Sequence, residues 1–470
     1  MSNLSELLPT GGGQNAVDFV ASGTLSSGQT VVLKTDGTVE AVALTPISAS
    51  LGSEVAFEPT ATSYTATASL TDTTVVIAYY DANNNGYGTA VVGTISGTSI
   101  SFGTPVVYES AYIETQGATK VSSTEVIIAY RDDGNSQRPT AVLGTVSGTS
   151  ISFSSPTVVS TSASGYVSTA FLGGSTFVVT YAYGGGYAVV GTISSGSLSF
   201  GSAQNFQGTS AVYNSPQAID STRVAIAYKN GSNYGAAIIG TLSGGSISWG
   251  TEVVFNSATS NDISCSVLND KIVVAYQNDS SGFNSVIAGT ISGDSISFGS
   301  ANAHENATCY YNTCQIIDDS SFFVGYRNGS AGNDGKYKIG TLSGTSITMG
   351  SQQTFNSGRS DWISSSISSN KKITISYSDI SVTNVGTAIV YQAAYNASNN
   401  TDFIGITAEA ISNTATGAVN VYGGINEAQT GLTIGSDYYV QNDGSLSTTA
   451  SSVKVGQAIS ATTINMMDLT

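Results

Sequence analysis

A β-branched run ending in tyrosine recurs seven times along this chain, and its period limits the fold more than any other feature. The runs 75–79, 126–130, 177–181, 224–228, 272–276, 322–326 and 373–377 end at Tyr79, Tyr130, Tyr181, Tyr228, Tyr276, Tyr326 and Tyr377. Successive tyrosines are 51, 51, 47, 48, 50 and 51 residues apart. A period near 50 built from short strands matches propeller repeats, whereas helical repeats are shorter and carry a 3.6-residue periodicity absent here.

Each unit reads as four strands. In the first, the inner strand covers 64–70 and the second 75–79. An Asn- and Gly-rich turn (81–86) leads to a third at 90–95, and Ser96-Gly97-Thr98 turns into a fourth at 99–102 that continues through Val106-Val107. Gly and Asn accept the positive φ such turns need. A Gly-Thr step marks the third strand at Gly93, Gly144, Gly191, Gly240, Gly289 and Gly340, and the seventh unit carries Tyr391-Gln392 instead. The fourth strand is marked by a bulky apolar residue and a small one: Phe102-Gly103, Phe153-Ser154, Phe200-Gly201, Trp249-Gly250, Phe298-Gly299 and Met349-Gly350. The seventh unit lacks this mark, and the missing copy lies ahead of the first unit, from Leu51-Gly52 to Phe57. The expected fold is therefore all-β: a seven-bladed β-propeller closed by an N-terminal outer strand, an arrangement that removes exposed sheet edges.

The propeller is expected over 47–395, with 1–46 and 396–470 forming the two halves of a small β docking domain built from both termini. The halves share a pattern. Gly28 to Asp36-Gly37 (GQTVVLKTDG) is echoed by Gly435 to Asp443-Gly444 (GSDYYVQNDG).

Composition narrows the function. Charged residues are 10% of the chain, with 31 acids against 14 bases and a net charge of −17. No Lys/Arg cluster exists to displace counterions, so nucleic acid is not an expected partner. The opening residues Met1 to Pro9 lack the basic and apolar regions of a signal peptide, and no apolar run is long enough for a membrane helix. Cys265, Cys309 and Cys314 are too few for a disulfide framework, and free buried thiols are expected. Cys309 and Cys314, five apart in one strand, should face opposite sides. These features fit synthesis in a reducing cytoplasm.

Catalytic and metal chemistry finds little support. His304, the single histidine, is expected in a loop between units, with no nucleophile elbow nearby and no zinc spacing. Asp81-x-Asn83-x-Asn85-Gly86 resembles half a calcium loop but lacks the Glu twelve positions along, so a plain turn is preferred. A propeller glycosidase needs paired carboxylates at the axis, and only Glu114, Asp262 and Asp361 lie near the inner strands. No cofactor, metal or enzymatic activity is expected.

One constellation suggests binding. Counting back fifteen residues from each repeat tyrosine gives Tyr64, Thr115, Tyr166, Tyr213, Asn261, Tyr311 and Trp362. Five are aromatic at one level of the inner strands, and aromatic faces flanked by hydroxyls and amides are surfaces on which sugars stack. Tyr64, Tyr166, Tyr213, Tyr311 and Trp362 are thus the candidate glycan-binding residues. The plainer reading, that the rings only plug the mouth or pack between blades, carries more weight from sequence alone.

The flanks carry a resemblance. Val17-Asp18-Phe19-Val20-Ala21-Ser22-Gly23, its following Asp-Gly hairpin, and the C-terminal run from Phe403 to Ile411 through Tyr438-Tyr439-Val440 and Ser445 to Thr449 resemble virion appendage proteins of marine tailed phages. The match covers the outer quarter of the chain. It implies a virion structural protein assembled in the host cytoplasm, a tail-fibre or surface appendage component involved in host attachment. Its implied partners are other virion proteins, with host surface polysaccharide and further copies of the chain as additional ones. A head-fibre or capsid decoration protein and a lectin-like adhesin are the alternatives, with a polysaccharide-degrading enzyme behind them.

Overall fold

A computed structural model describes residues 15–330 and 332–467, all-β apart from short 3₁₀ turns. The reading of Met1 to Pro9 lies outside the described residues. The chain divides into two compact units, one from Ala49 to Ala393 and one made of the segments up to Ser48 and from Ala394 onward. None of the described helices is long and apolar enough to cross a membrane.

The larger unit is of the β-propeller type, a series of antiparallel sheets with one strand pattern. In its first repeat, residues 62–69 pair with Thr74–Asp81, which pairs with Tyr87–Ser96. That strand pairs in turn with Ser99–Phe102 and with the start of Val106–Lys120. The fourth strand expected as one piece is thus two, interrupted after Phe102. Gly103 explains the break. A Cβ there would lie 2.0 Å from the Thr149 carbonyl oxygen in the next repeat's turn, so the sheets approach closely only where the side chain is absent. Val106–Lys120 then crosses between sheets, its second half pairing with Glu125–Asp132. Val253–Leu268 and Gln353–Ile367 cross in the same way.

The second strands show no alternation because both faces are buried. Val75, Ile77 and Tyr79 pack with Ala388 and Val390, while Val76 and Ala78 pack with Val126 and Ile128 of the following sheet. The core therefore lies between neighbouring sheets. All seven repeat tyrosines are among the largest fully buried side chains. A buried hydroxyl must find a partner, and an outer carboxylate supplies it in several repeats, lying ahead of the tyrosine in the chain except for Tyr228, whose Glu252 follows it. Tyr79 donates to Glu58 at 3.0 Å, Tyr130 to Glu109 at 2.8 Å, Tyr228 to Glu252 at 2.6 Å and Tyr326 to Glu305 at 3.1 Å.

The three thiols are free and buried, but Cys309 and Cys314 do not face opposite sides. Strand Cys309–Asp318 carries a bulge between Tyr310 and Thr313. The extra residue reverses the alternation, so both sulfurs enter one cluster with Val273, Phe322 and Val324. His304 is likewise corrected. It lies in strand Asn302–Glu305 rather than a loop, its ring edge-on to Tyr326 at 5.4 Å. Burial and the neighbouring Lys338 hold it down to about 3, so it is neutral at neutral pH. At the turn after Tyr80, Asp81 caps Ala82–Asn84 by accepting from the Asn84 N–H, and Asn85 takes the left-handed conformation.

The smaller unit contains two five-stranded sheets of equal strand order. The first runs Ala16–Val20, Thr416–Val421, Phe403–Thr407, Thr30–Leu33, Val39–Ala41, and the second runs Ile425–Asn426, Ile464–Asn465, Lys454–Ala458, Asp437–Val440, Leu446–Ser447. Their registers correspond, including a shift at Val31/Val32 and at Tyr438/Tyr439. A Cβ on Gly405 would meet the Asn420 carbonyl oxygen at 2.3 Å, and one on Gly456 the Asn465 oxygen at 2.0 Å. The second sheet is continuous in sequence, while residues 42–402 separate the third and fourth strands of the first.

Candidate functional site

The inner strands of the larger unit share one local distortion. Each has a register shift where it enters its sheet: at 63/66, 114/116, 165/168, 212/215, 261/264, 310/313 and 361/364. Within or beside each shift one residue takes positive φ: Tyr64, Thr115, Tyr166, Tyr213, Asp262, Tyr311 and Trp362, with values from 33° to 55°. Left-handed backbone is rare for bulky and β-branched residues and costs of order 1–3 kcal/mol each. Glycine would relieve it, yet no glycine occupies any of these positions.

Six of the seven coincide with the positions counted back from the repeat tyrosines. The exception is the fifth repeat, where the residue is Asp262 and not Asn261. Its hairpin turns through Asn269-Asp270 alone, with Leu268 opposite Lys271. The connection is one residue shorter there, so a fixed count of fifteen overshoots by one.

The aromatic residues form two groups. Trp362 sits between Tyr64, at 4.0 Å between ring centroids, and Tyr311, at 5.0 Å. Tyr166 and Tyr213 meet edge-on at 5.0 Å. Tyr64, Tyr166, Tyr311 and Trp362 line a cavity of about 210 Å³, with Gln116 and Asn214 as polar neighbours. Tyr213 does not line it and instead backs Tyr166. All five rings are partly exposed. Burial, helped by Glu114, pushes the Tyr64 phenol up to about 12, and burial with Asp361 does the same for Tyr311. Both are protonated hydrogen-bond donors at neutral pH.

Charged groups from several repeats lie near this level. Arg327 lies over the Tyr310 ring at 4.2 Å and the Tyr311 ring at 5.0 Å. It also pairs with Asp361, which Arg359 contacts at 2.9 Å. Glu114 pairs with Arg131 at 2.8 Å. Two of the three inner acids are thus neutralised by arginine, an arrangement unlike a general acid facing a free carboxylate. Asp262 has no salt bridge among the described residues. Burial pushes its carboxyl up to about 6, opposed by the Tyr311 N–H and by Arg327.

Farther along the same strands lies a second cavity, of about 280 Å³, whose walls include Thr67, Thr119, Lys120, Gln217, Gln315 and Ser366. Several of its polar groups are bonded to one another: Ser69 bonds Ser366 at 2.8 Å and Gln315 donates to the Ser365 carbonyl at 2.9 Å. No group of three or more His, Cys, Asp or Glu side chains placed to hold a metal occurs among the described residues.

No family model and no curated protein matches this chain. Among solved structures it is similar to the six-bladed β-propeller lectin of the fungus Aleuria aurantia, described with a novel fucose recognition mode. The identity is 14%, the TM-score 0.41, and the match covers 63% of this chain and 96% of that one. A variant of that lectin in complex with Fucalpha1-6GlcNAc matches with 13% identity, a TM-score of 0.41, and coverage of 62% and 96%. At this identity and score, no ligand passes from that lectin to this chain.

Proposed function

We propose that the larger unit is a closed seven-bladed propeller and a non-enzymatic carbohydrate-binding module, with the aromatic level of its inner strands as the binding site. Two contacts support closure. Val385–Gln392 pairs with residues 50–51 and 55–61, ahead of the first repeat. Gly52 meets the Thr98 carbonyl in the manner of Gly103 and Thr149, a Cβ there lying 2.1 Å away.

The binding reading is carried by one observation: large aromatic residues are kept at strained left-handed positions around a cavity. Strain at a position open to glycine points to function. The arrangement offers ring faces, phenol donors, and the amides of Gln116 and Asn214, the groups that contact the apolar faces and hydroxyls of a sugar. Host surface polysaccharide is the proposed partner. Replacing Tyr166 and Tyr213 together with alanine is expected to abolish binding in a glycan-binding assay with the folded full chain. Unchanged binding would contradict the assignment, and sugar release by the wild-type chain would contradict the non-enzymatic reading.

A virion location, as a tail-fibre or other surface appendage assembled in the host cytoplasm, is a separate proposal supported only by the flank motifs. Detection of the chain in purified particles by mass spectrometry tests it, and its absence from them would contradict it.

A further inference from the structure

The seventh repeat departs from the other six where its third strand meets its outer strand. Elsewhere glycine packs beneath an aromatic or apolar residue. A Cβ on Gly93 would lie 2.8 Å from Val75 and 3.0 Å from Phe102. In the seventh repeat the third-strand residue is Tyr391 and its partner is Leu51. A large residue replaces the smallest and a smaller one replaces phenylalanine, so the packing of the other repeats is not reproduced. Tyr391 instead turns to the sixth repeat, meeting Tyr337 at 5.1 Å and Phe323 at 6.1 Å.

This exchange accompanies a cleft of about 380 Å³, lined by Leu51, Tyr337, Ile339, Ser351, Gln353 and Tyr391 among others. Its volume falls in the range of small-molecule sites, about 300–1,000 Å³. The tyrosine rings are 6% exposed and belong to the core, so only their edges reach the cleft. Neither phenol hydroxyl has a hydrogen-bond partner among the described residues, and neither is fully buried. Burial pushes Tyr391 up to about 12, so it stays a donor. Gln353 donates to Ser351 at 3.1 Å at the rim.

We propose that this cleft binds a single neutral sugar ring. Its lining residues carry no charge, so an ionic ligand would lose water without gaining a counter-charge. A purely apolar ligand would leave two phenol hydroxyls buried without partners. A sugar ring meets both demands, its C–H face against Leu51 and Ile339 and its hydroxyls toward the phenols, Ser351 and Gln353. The site is independent of the aromatic level of the inner strands.

The test is saturation-transfer NMR on the full chain with glucose, galactose, mannose, L-fucose and N-acetylglucosamine. Run in the Tyr166→Ala/Tyr213→Ala background, the signal reports on the cleft alone. Transfer to at least one sugar is expected there. Tyr337→Phe/Tyr391→Phe should weaken the affinity about tenfold or more, and Ser351→Trp, which fills the cleft from its rim without touching the core tyrosines, should abolish it. No transfer in that background, or transfer that survives Ser351→Trp, would overturn the proposal. Failure of the reading at the aromatic level is seen separately, as identical binding by the wild type and the background variant.

Discussion

The two cavities between the inner strands are built from the same strands a few residues apart, yet their chemistry differs. One is walled by Tyr64, Tyr166, Tyr311 and Trp362 on left-handed backbone. The other is walled by hydroxyl, amide and apolar side chains and by Lys120, with several of its polar groups bonded to one another. Hydroxyl pairs satisfied by the protein have little left for a ligand, whereas partly exposed rings lose nothing by being covered. The difference shows that the repeat supplies a scaffold and the bulge supplies the site, because a bulge at this level is common to all seven inner strands.

That contrast makes graded predictions. Among single substitutions, that of Trp362, which bridges Tyr64 and Tyr311, should matter most. Trp362→Ala is expected to weaken glycan binding by about 30-fold, roughly 2 kcal/mol as for a buried aromatic anchor, measured by isothermal titration calorimetry. An equal loss from a substitution in the hydroxyl-walled cavity would erase the contrast.

A second difference is electrostatic, since Asp262 places a carboxyl at the aromatic level. Its folded-state value, near 6, lies above the ordinary 3.8, so the folded chain holds this proton more tightly than the unfolded one. Its contribution to stability is therefore present below about pH 4 and lost as pH rises through 6. Asp262→Asn is expected to flatten that part of the profile in thermal melts from pH 4 to 7. Asp132, also raised to about 6 by burial and Glu109, leaves a residual slope. An unaltered profile would show that Asp262 is better solvated than its position suggests.

The smallest effect belongs to Gln315→Ala in the hydroxyl-walled cavity, where glycan affinity should stay within about twofold of wild type, the loss of one self-satisfied amide.

The sequence made some of this legible and hid the rest for identifiable reasons. Strands buried on both faces have a visible signature, so the runs ending in Tyr79 through Tyr377 marked second strands such as Thr74–Asp81 directly. The level of Tyr64, Tyr166, Tyr213, Tyr311 and Trp362 followed from counting along regular hairpins. Counting failed wherever the backbone gained or lost one residue. The bulge at Tyr311 put Cys309 and Cys314 on one face, and the shorter turn at Asn269-Asp270 moved the fifth position to Asp262. His304 reads as a loop residue because its strand, Asn302–Glu305, is short and mostly polar. The paired sheets of the smaller unit were seen only as an echo around Asp36-Gly37 and Asp443-Gly444. Their remaining strands share little beyond Gly405/Gly456 and Asn420/Asn465.

The central claim is that sugar binds among the aromatic residues of the inner strands. Crystals of the full chain soaked with a bound host oligosaccharide test this most directly. The account predicts sugar density against Trp362 and Tyr64, in the cavity shared with Tyr166 and Tyr311. Density confined to the cavity beside Gln315, or none between the inner strands, would contradict it.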